Sequence, residues 1–226
     1  MDSLWSILMF FGSSFCHQIP DRSYLIGDLQ MPLCARCIGI QLGFLLSSLF
    51  IWTGPRKFTS GMLGKRTNIV LATMFFIGGF DAILSYSGIS ESDNLRRTLS
   101  GLLMGTVMPF LLVPLINRIF FQGRNSRIIF GKNVDWAWFA AIYLIGAAMI
   151  LLATTSPILF SAVSILSVIG LFVLSFTLIT LLVLILSDSK GMSGHQRIAI
   201  SAVSTVAFIL VMAVIHILII PPAWIG

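Results

Sequence analysis

Apolar stretches recur from residue 38 to the C-terminus, separated by short polar clusters. Six of them are long enough to cross a bilayer, because a hydrocarbon core ~30 Å thick takes about 20 helical residues, and within it a helix satisfies its own backbone groups. Their approximate limits are residues 37 to 54, 68 to 87, 96 to 121, 136 to 154, 158 to 187 and 196 to 220. Punctuation agrees with these limits: Gly54-Pro55 stops the first, Ser156-Pro157 opens the fifth with an N-cap and a first-turn proline, and Pro221-Pro222 ends the sixth. The fifth makes about 45 Å of helix, more than the core needs, so it is expected to tilt, break near Gly170 or project. The opening segment, MDSLWSILMFFGSSFC, has an apolar run too short to span and lacks a basic n-region and an A-x-A-like cleavage site. It reads as a retained interfacial or half-inserted helix. The expected fold is all-α, a single transmembrane domain over residues 1–226. Residues 1–36 form the N-terminal helix and a Cys/His loop, 37–121 the three spans with the polar site, and 136–220 the last three spans.

Composition narrows the function classes. Of 226 residues 57% are hydrophobic and 10% charged, which is too little ionic surface to disperse a soluble domain of this size. The net charge of +6 does not point to nucleic acid, since the basic residues sit between apolar segments instead of along one polar face. They act as topology signals. The loops after spans one, three and five carry Arg56, Lys57, Lys65, Arg66, Arg118, Arg124, Arg127, Lys132, Lys190 and Arg197, whereas the other side carries Arg22, Arg36, Arg96 and Arg97. The first set is therefore expected in the cytoplasm of a multi-pass cell-membrane protein, and the Cys/His loop outside. Membrane lipid is the expected partner.

Candidate chemistry gathers in that loop. All three cysteines, Cys16, Cys34 and Cys37, fall within 22 positions just before the first span. Cys34-Ala-Arg-Cys37 is a C-x-x-C pair, whose spacing lets two thiolates converge on one metal or close a small disulfide. With Cys16 and His17 it makes a Cys3His set, the number and kind of ligands that tetrahedral zinc or soft Cu(I) accepts. Adjacent residues diverge in regular structure, so Cys16 and His17 share an ion only if the chain turns there. His216, one turn from the outer end of span six, is an additional candidate ligand. Cysteine is also an ordinary small apolar residue of membrane helices, so packing stands beside metal binding and thiol redox as a reading.

Other polar groups reach the same side. Asp81 lies within two turns of the outer end of span two, where a carboxylate needs a partner or a cavity. The following loop offers Glu91, Asp93, Asn94, Arg96 and Arg97, and an Asp81–Arg97 ion pair is the plain structural expectation. Asp81, Glu91 and Arg97 are also the candidate catalytic residues. Gln41, one turn after Cys37, is expected to face the same way, and the glycines at 39, 43, 101 and 105 allow spans one and three to approach closely. His195 reads as a solvated cytoplasmic residue, and phosphate-binding loops, H-E-x-x-H and G-x-S-x-G are absent from the sequence.

The strings CHQIPDRS, PLCARCIGIQLG, FDA around Asp81 and ESDNLRRTLSGLLMG together resemble the prokaryotic membrane proteins grouped as domain of unknown function twenty eighty-five. The resemblance covers residues 14 to 105. It implies a multispan membrane protein and brings no reaction, ligand or substrate with it. Arg22, Ser23, Arg36, Gly39, Asp81, Asn94 and Arg97 gain weight from matching that pattern. Three functions follow from the residues: an outward thiophilic metal centre, with zinc as the favoured cofactor; a membrane thiol–disulfide oxidoreductase using Cys34 and Cys37; and a transporter or lipid-modifying enzyme with a polar cavity at Asp81 and Arg97.

Overall fold

The computed structural model describes residues 2–53, 58–61, 63–120, 130, 133–187 and 193–219. Helix α1 (Asp2–Ser13) is followed by a 3-10 turn at Pro20–Arg22 and a two-stranded antiparallel hairpin, β1 (Leu25–Ile26) and β2 (Leu29–Gln30). Six long helices come next: α2 (Ala35–Thr53), α3 (Lys65–Tyr86), α4 (Asn94–Phe120), α5 (Asn133–Ala153), α6 (Pro157–Ser187) and α7 (Gly194–Ile219). Each is long and apolar enough to cross a membrane, so the chain is a multispan helical membrane protein with a short apolar helix ahead of the spans.

The helices begin one to three residues before the expected limits, because hydropathy does not register the polar first turn: Lys65 and Arg66 open α3, Asn94 opens α4 and Asn133 opens α5. Positions 54, 121 and 220, and the Gly54-Pro55 and Pro221-Pro222 stops, lie outside the described residues. Pro157 is the first residue of α6, and the Ser156 carbonyl accepts the Phe160 N–H at 2.9 Å. Helix α6 does not break near Gly170. It runs unbroken for 31 residues, and Gly170 is a contact point, since a Cβ there would collide with the backbone carbonyl of Gln41 on α2.

Helix α2 is the axis of the bundle: 67% of its apolar window is buried, against 22% for α3 and for α7. It packs on α4, α5 and α6; α3 lies against α4, and α7 against α6. Glycine determines the closest of these contacts. A Cβ at Gly39 would strike the Thr98 carbonyl, and a Cβ at Gly101 or Gly105 would strike the Arg36 or Ile40 carbonyl. Backbone therefore touches backbone along α2 and α4, as small-residue stripes permit in lipid. The close approach brings the first turns of α2 and α4 to one end of the bundle.

Helix α1 packs against α6 and α7 at that same end. Trp5 stacks on Phe160 with ring centroids 5.8 Å apart, and its indole N–H donates to the Gln30 carbonyl at 3.1 Å. Beneath it, Cys16, Met31, Leu33, Cys34, Ile38 and Phe160 form one apolar cluster. The cysteine loop is thus a packed cap on the bundle end.

Candidate metal centre

Two short pieces of chain bring the sulfurs together. Cys34 stands just ahead of the first residue of α2, and its carbonyl accepts the Ile38 N–H at 2.9 Å, so it caps the helix. Cys37 follows three residues later within the first turn, on the side of Cys34. Cys16 arrives from the loop after α1, and its Sγ accepts two backbone N–H groups, from Cys34 at 3.0 Å and from Gln18 at 3.4 Å. The three sulfurs lie within 4.8 Å of one another. Cys16 and Cys34 are buried, Cys37 is half-buried, and all three are free thiols.

Three thiols this close cannot all ionise without a cation between them. The Cys34 thiol is pulled down to about 3, chiefly by the hydrogen bond from Cys16, then by that from Cys37 and by the backbone N–H groups of Cys37 and Arg36 at the helix end. Cys16 is pushed up to about 12, first because its proton is held between sulfurs by Cys34 and further by burial. In the metal-free protein one thiolate, on Cys34, is therefore shared by two thiols.

Gln18 ties the loop down. It has a left-handed backbone, φ 51°, and its buried amide donates to the Met9 carbonyl at 2.7 Å and the Pro32 carbonyl at 2.9 Å. Gly12 makes room for this arrangement, since a Cβ there would collide with the Pro32 carbonyl. Ser23 donates to the Ile19 carbonyl at 2.9 Å and accepts from Gln30 at 3.2 Å, while Asn94 at the start of α4 donates to the Ser23 carbonyl at 3.2 Å. Tyr24 bridges to α4 through Thr98 Oγ1, 2.8 Å away, and burial raises its phenol above the usual range.

A cavity of about 130 Å³ opens beside the sulfurs, lined by Cys16, Cys34 and Cys37 together with His17, Arg22 and Tyr86. His17 is exposed and stands outside the three-sulfur group. Its ring meets that of His216 edge to face, centroids 5.6 Å apart, so the two histidines are neighbours of each other. The guanidinium of Arg22 sits 5.0 Å from the centre of the Tyr86 ring, and that of Arg36 sits 5.8 Å from it.

The carboxylate of Asp81 meets the cysteine motif through Arg36, the residue between Cys34 and Cys37. Arg36 Nη2 donates to Asp81 Oδ2 at 2.8 Å and Arg96 Nε to Oδ1 at 2.6 Å. The partners of Asp81 are thus Arg36 and Arg96 in place of the expected Arg97, whose Nη1 donates to Asn94 Oδ1 at 3.1 Å. Arg96 and Arg97 are neighbours on a helix with about 100° between them, so only one can turn toward α3. Asp81 lines a separate, more open notch with Asp93, Arg96, Ser100 and Tyr143. Glu91 is exposed, and its backbone carbonyl accepts from Arg96 Nη1 at 3.2 Å. Gln41 is buried one turn below Cys37, and its Oε1 has no hydrogen-bond partner among the described residues.

A family profile described as "Predicted membrane protein (DUF2085)" matches residues 16–111. An uncharacterized protein of Methanothermobacter thermautotrophicus is 33% identical over 90 residues, which is 40% of this chain and 77% of that relative. The chain belongs to the DUF2085 family. A second uncharacterized relative, from Methanocaldococcus jannaschii, is 30% identical over 110 residues, or 49% of this chain and 66% of the relative. No solved structure matches the chain. The DUF2085 match begins at Cys16 and ends within α4, so it holds the three cysteines, His17, Asp81 and the arginines, and it leaves out α5 to α7 with His216. Within that DUF2085 segment, residue-type reasoning missed Gln18, Tyr24 and Tyr86. The tyrosines left a trace in the sequence, as aromatics adjoining the arginine and carboxylate motifs. Gln18 left only its place beside Cys16-His17, because its role depends on a loop backbone.

Proposed function

We propose that this protein holds a thiophilic metal ion, zinc foremost, on Cys16, Cys34 and Cys37 at the outer face of the membrane, with the fourth coordination position turned toward the adjoining cavity. The observation that carries this reading is the approach of three sulfurs to within 4.8 Å from two separate chain segments, with backbone N–H groups aimed at Cys16 Sγ. Zinc with bonds of about 2.3 Å in a tetrahedron needs sulfurs about 3.8 Å apart, so the cluster closes on an ion by roughly an ångström or less. Binding displaces the shared protons and turns all three sulfurs into ligands. Three protein ligands and a position open to a cavity match the arrangement of catalytic zinc better than that of a closed structural site. The excess of basic residues on the opposite loops supports the outward placement.

Metal analysis of protein purified under reducing, chelator-free conditions tests the proposal. Close to one zinc per chain is expected for the wild type and almost none for Cys34→Ser. A wild-type protein without near-stoichiometric metal removes the reading.

One feature favours a second reading, a thiol–disulfide oxidoreductase. Cys34 is a low-lying thiolate at a helix N-terminus with a second cysteine three residues on, as thiol exchange requires. Alkylation trapping in cells separates the two. Cysteines protected by metal under every redox condition support the metal centre, whereas a Cys34–Cys37 disulfide that appears on oxidation and disappears on reduction supports exchange.

A further inference from the structure

The cavity beside the sulfurs carries more positive charge than its neighbours neutralise. Arg36 and Arg96 share the carboxylate of Asp81. Among the described residues no carboxylate pairs with Arg22 or Arg97, and the buried Nε atoms of Arg36 and Arg97 have no hydrogen-bond partner. Arg22 is the one of these that lines the cavity together with the three cysteines. Its placement 5.0 Å over the Tyr86 ring matters, because the ring face holds the cation without using its N–H donors, which stay available to an oxyanion. His17 adds a ring nitrogen at the same wall.

Charge and size then select the ligand class. A divalent ion on three thiolates has a net charge of −1, while Arg22 and Arg97 contribute two positive charges, and Arg36 and Arg96 are offset by Asp81 and Asp93. An oxyanion is therefore compatible with the loaded site. The space, about 130 Å³, falls well below the roughly 300–1,000 Å³ of sites for drug-sized molecules, so it takes a compact group and not an acyl chain. Exposed Phe15, Ile19 and Tyr86 surround it, giving the mouth an apolar rim at one end of the bundle.

Resting on the metal reading above, we propose that this cavity is a phosphate subsite: a phosphate group, free or as a lipid headgroup, lies beside the metal with its oxygens on Arg22 and His17. The phosphate is the part of the ligand held, and the rim accommodates whatever is esterified to it.

Paramagnetic cobalt in place of zinc makes the subsite observable. The full chain in detergent, loaded with cobalt, is titrated with inorganic phosphate and, separately, reconstituted into vesicles of phosphatidylcholine containing phosphatidic acid. The phosphorus NMR signal of the bound group should broaden in the wild type. Arg22→Gln should weaken the phosphate effect at least tenfold while keeping the cobalt–thiolate absorption, which shows that the metal and the fold are intact. Arg22→Lys, which keeps the charge and loses the fork, should fall between them. Broadening by inorganic phosphate assigns a free ligand, and broadening by phosphatidic acid alone assigns a headgroup; either supports the subsite. Cobalt bound with full thiolate absorption but no broadening in either arm, or broadening unchanged in Arg22→Gln, overturns it. Failure of cobalt to bind at all is a different result, and it removes the metal reading instead.

Discussion

Substitution of Asp81 by alanine strips Arg36 of its only carboxylate among the described residues, and the expected cost follows from burial. The Arg36 side chain is 8% exposed and that of Asp81 11%, with 2.8 Å between the paired atoms. Breaking such a pair from one side costs about 3–5 kcal/mol, mostly because a desolvated charge is left behind. The second partner, Arg96, is 45% exposed, so its share is discounted to well under ~1 kcal/mol, and the water it admits puts the total near the lower bound, about 3 kcal/mol. Removing both charges should cost far less: Arg36→Met with Asp81→Leu is expected within about 1 kcal/mol of wild type, because an apolar pair of similar volume leaves no orphan. Equilibrium unfolding in mixed micelles with increasing dodecyl sulfate, followed by tryptophan fluorescence, compares wild type, Arg36→Met, Asp81→Leu and the double variant as the four corners of the cycle, with Asp81→Ala measured beside them. If Asp81→Ala loses less than ~1 kcal/mol, or if Arg36→Met costs the same with and without Asp81, the pair does not anchor the cysteine motif to α3 and the account of this bundle end fails.

Gly105→Val drives a branched side chain into the Ile40 carbonyl, where neither backbone can yield, so a loss of about 1–3 kcal/mol is expected in the same assay; Gly79→Val, where a Cβ meets nothing, serves as the control. In metal-free protein the folded Cys34 thiol lies near 3, below its ordinary 9, so the stability it contributes is complete above pH 9 and is lost as the pH falls toward 3. Cys16 runs the other way, with its contribution complete below pH 9 and lost toward 12. At pH 7 ultraviolet difference spectra against unfolded chain should therefore show one thiolate per molecule, and none would contradict the shared-proton cluster. Gln18→Ala leaves the Met9 and Pro32 carbonyls without their amide partner, and chelator competition should report zinc held about tenfold more weakly. For orientation, Asp28→Cys in the exposed hairpin should react with an impermeant maleimide on intact cells and Lys65→Cys should not; the opposite pattern would reverse the topology.

The spans were legible because hydrocarbon leaves the chain few choices: a long apolar run must be a helix, and its ends must carry the polar residues that water accepts. The glycines at 39, 43, 101 and 105 were legible for the same reason, since close backbone contact is how helices gain packing in lipid, and the structure sets the two stripes against each other. A break near Gly170 stands in the sequence as one alternative to tilting or projecting, because one sequence cannot distinguish a flexible glycine from one pressed against a carbonyl. The cysteine cluster could be read from density of thiols alone. What could not be read was phase. Whether Arg96 or Arg97 reaches Asp81 depends on the rotation of α4 about its axis, and whether His17 joins Cys16 depends on the loop conformation that Gln18 imposes at φ 51°. Both are decided by tertiary packing, beyond what residue types encode locally.

The first turn of α2 shows why the cluster can be preorganised without metal. Its four residues have four separate tasks. Cys34 caps the helix and turns its sulfur to Cys16; Ala35 is wholly buried, and its carbonyl accepts from Thr98 Oγ1 at 3.4 Å. Arg36 reaches across to Asp81 while its own carbonyl presses on Gly101; Cys37 returns to the side of Cys34. Because α3, α4 and the loop after α1 each grip a different residue of that turn, its rotation about the helix axis is fixed three times over. Two of the three sulfurs are consequently positioned by the bundle itself, and only Cys16 depends on the loop. A metal arriving at this end finds two ligands set by helix packing and the third by the loop that Gln18 ties down, so much of the entropy of assembling them has already been met by the fold.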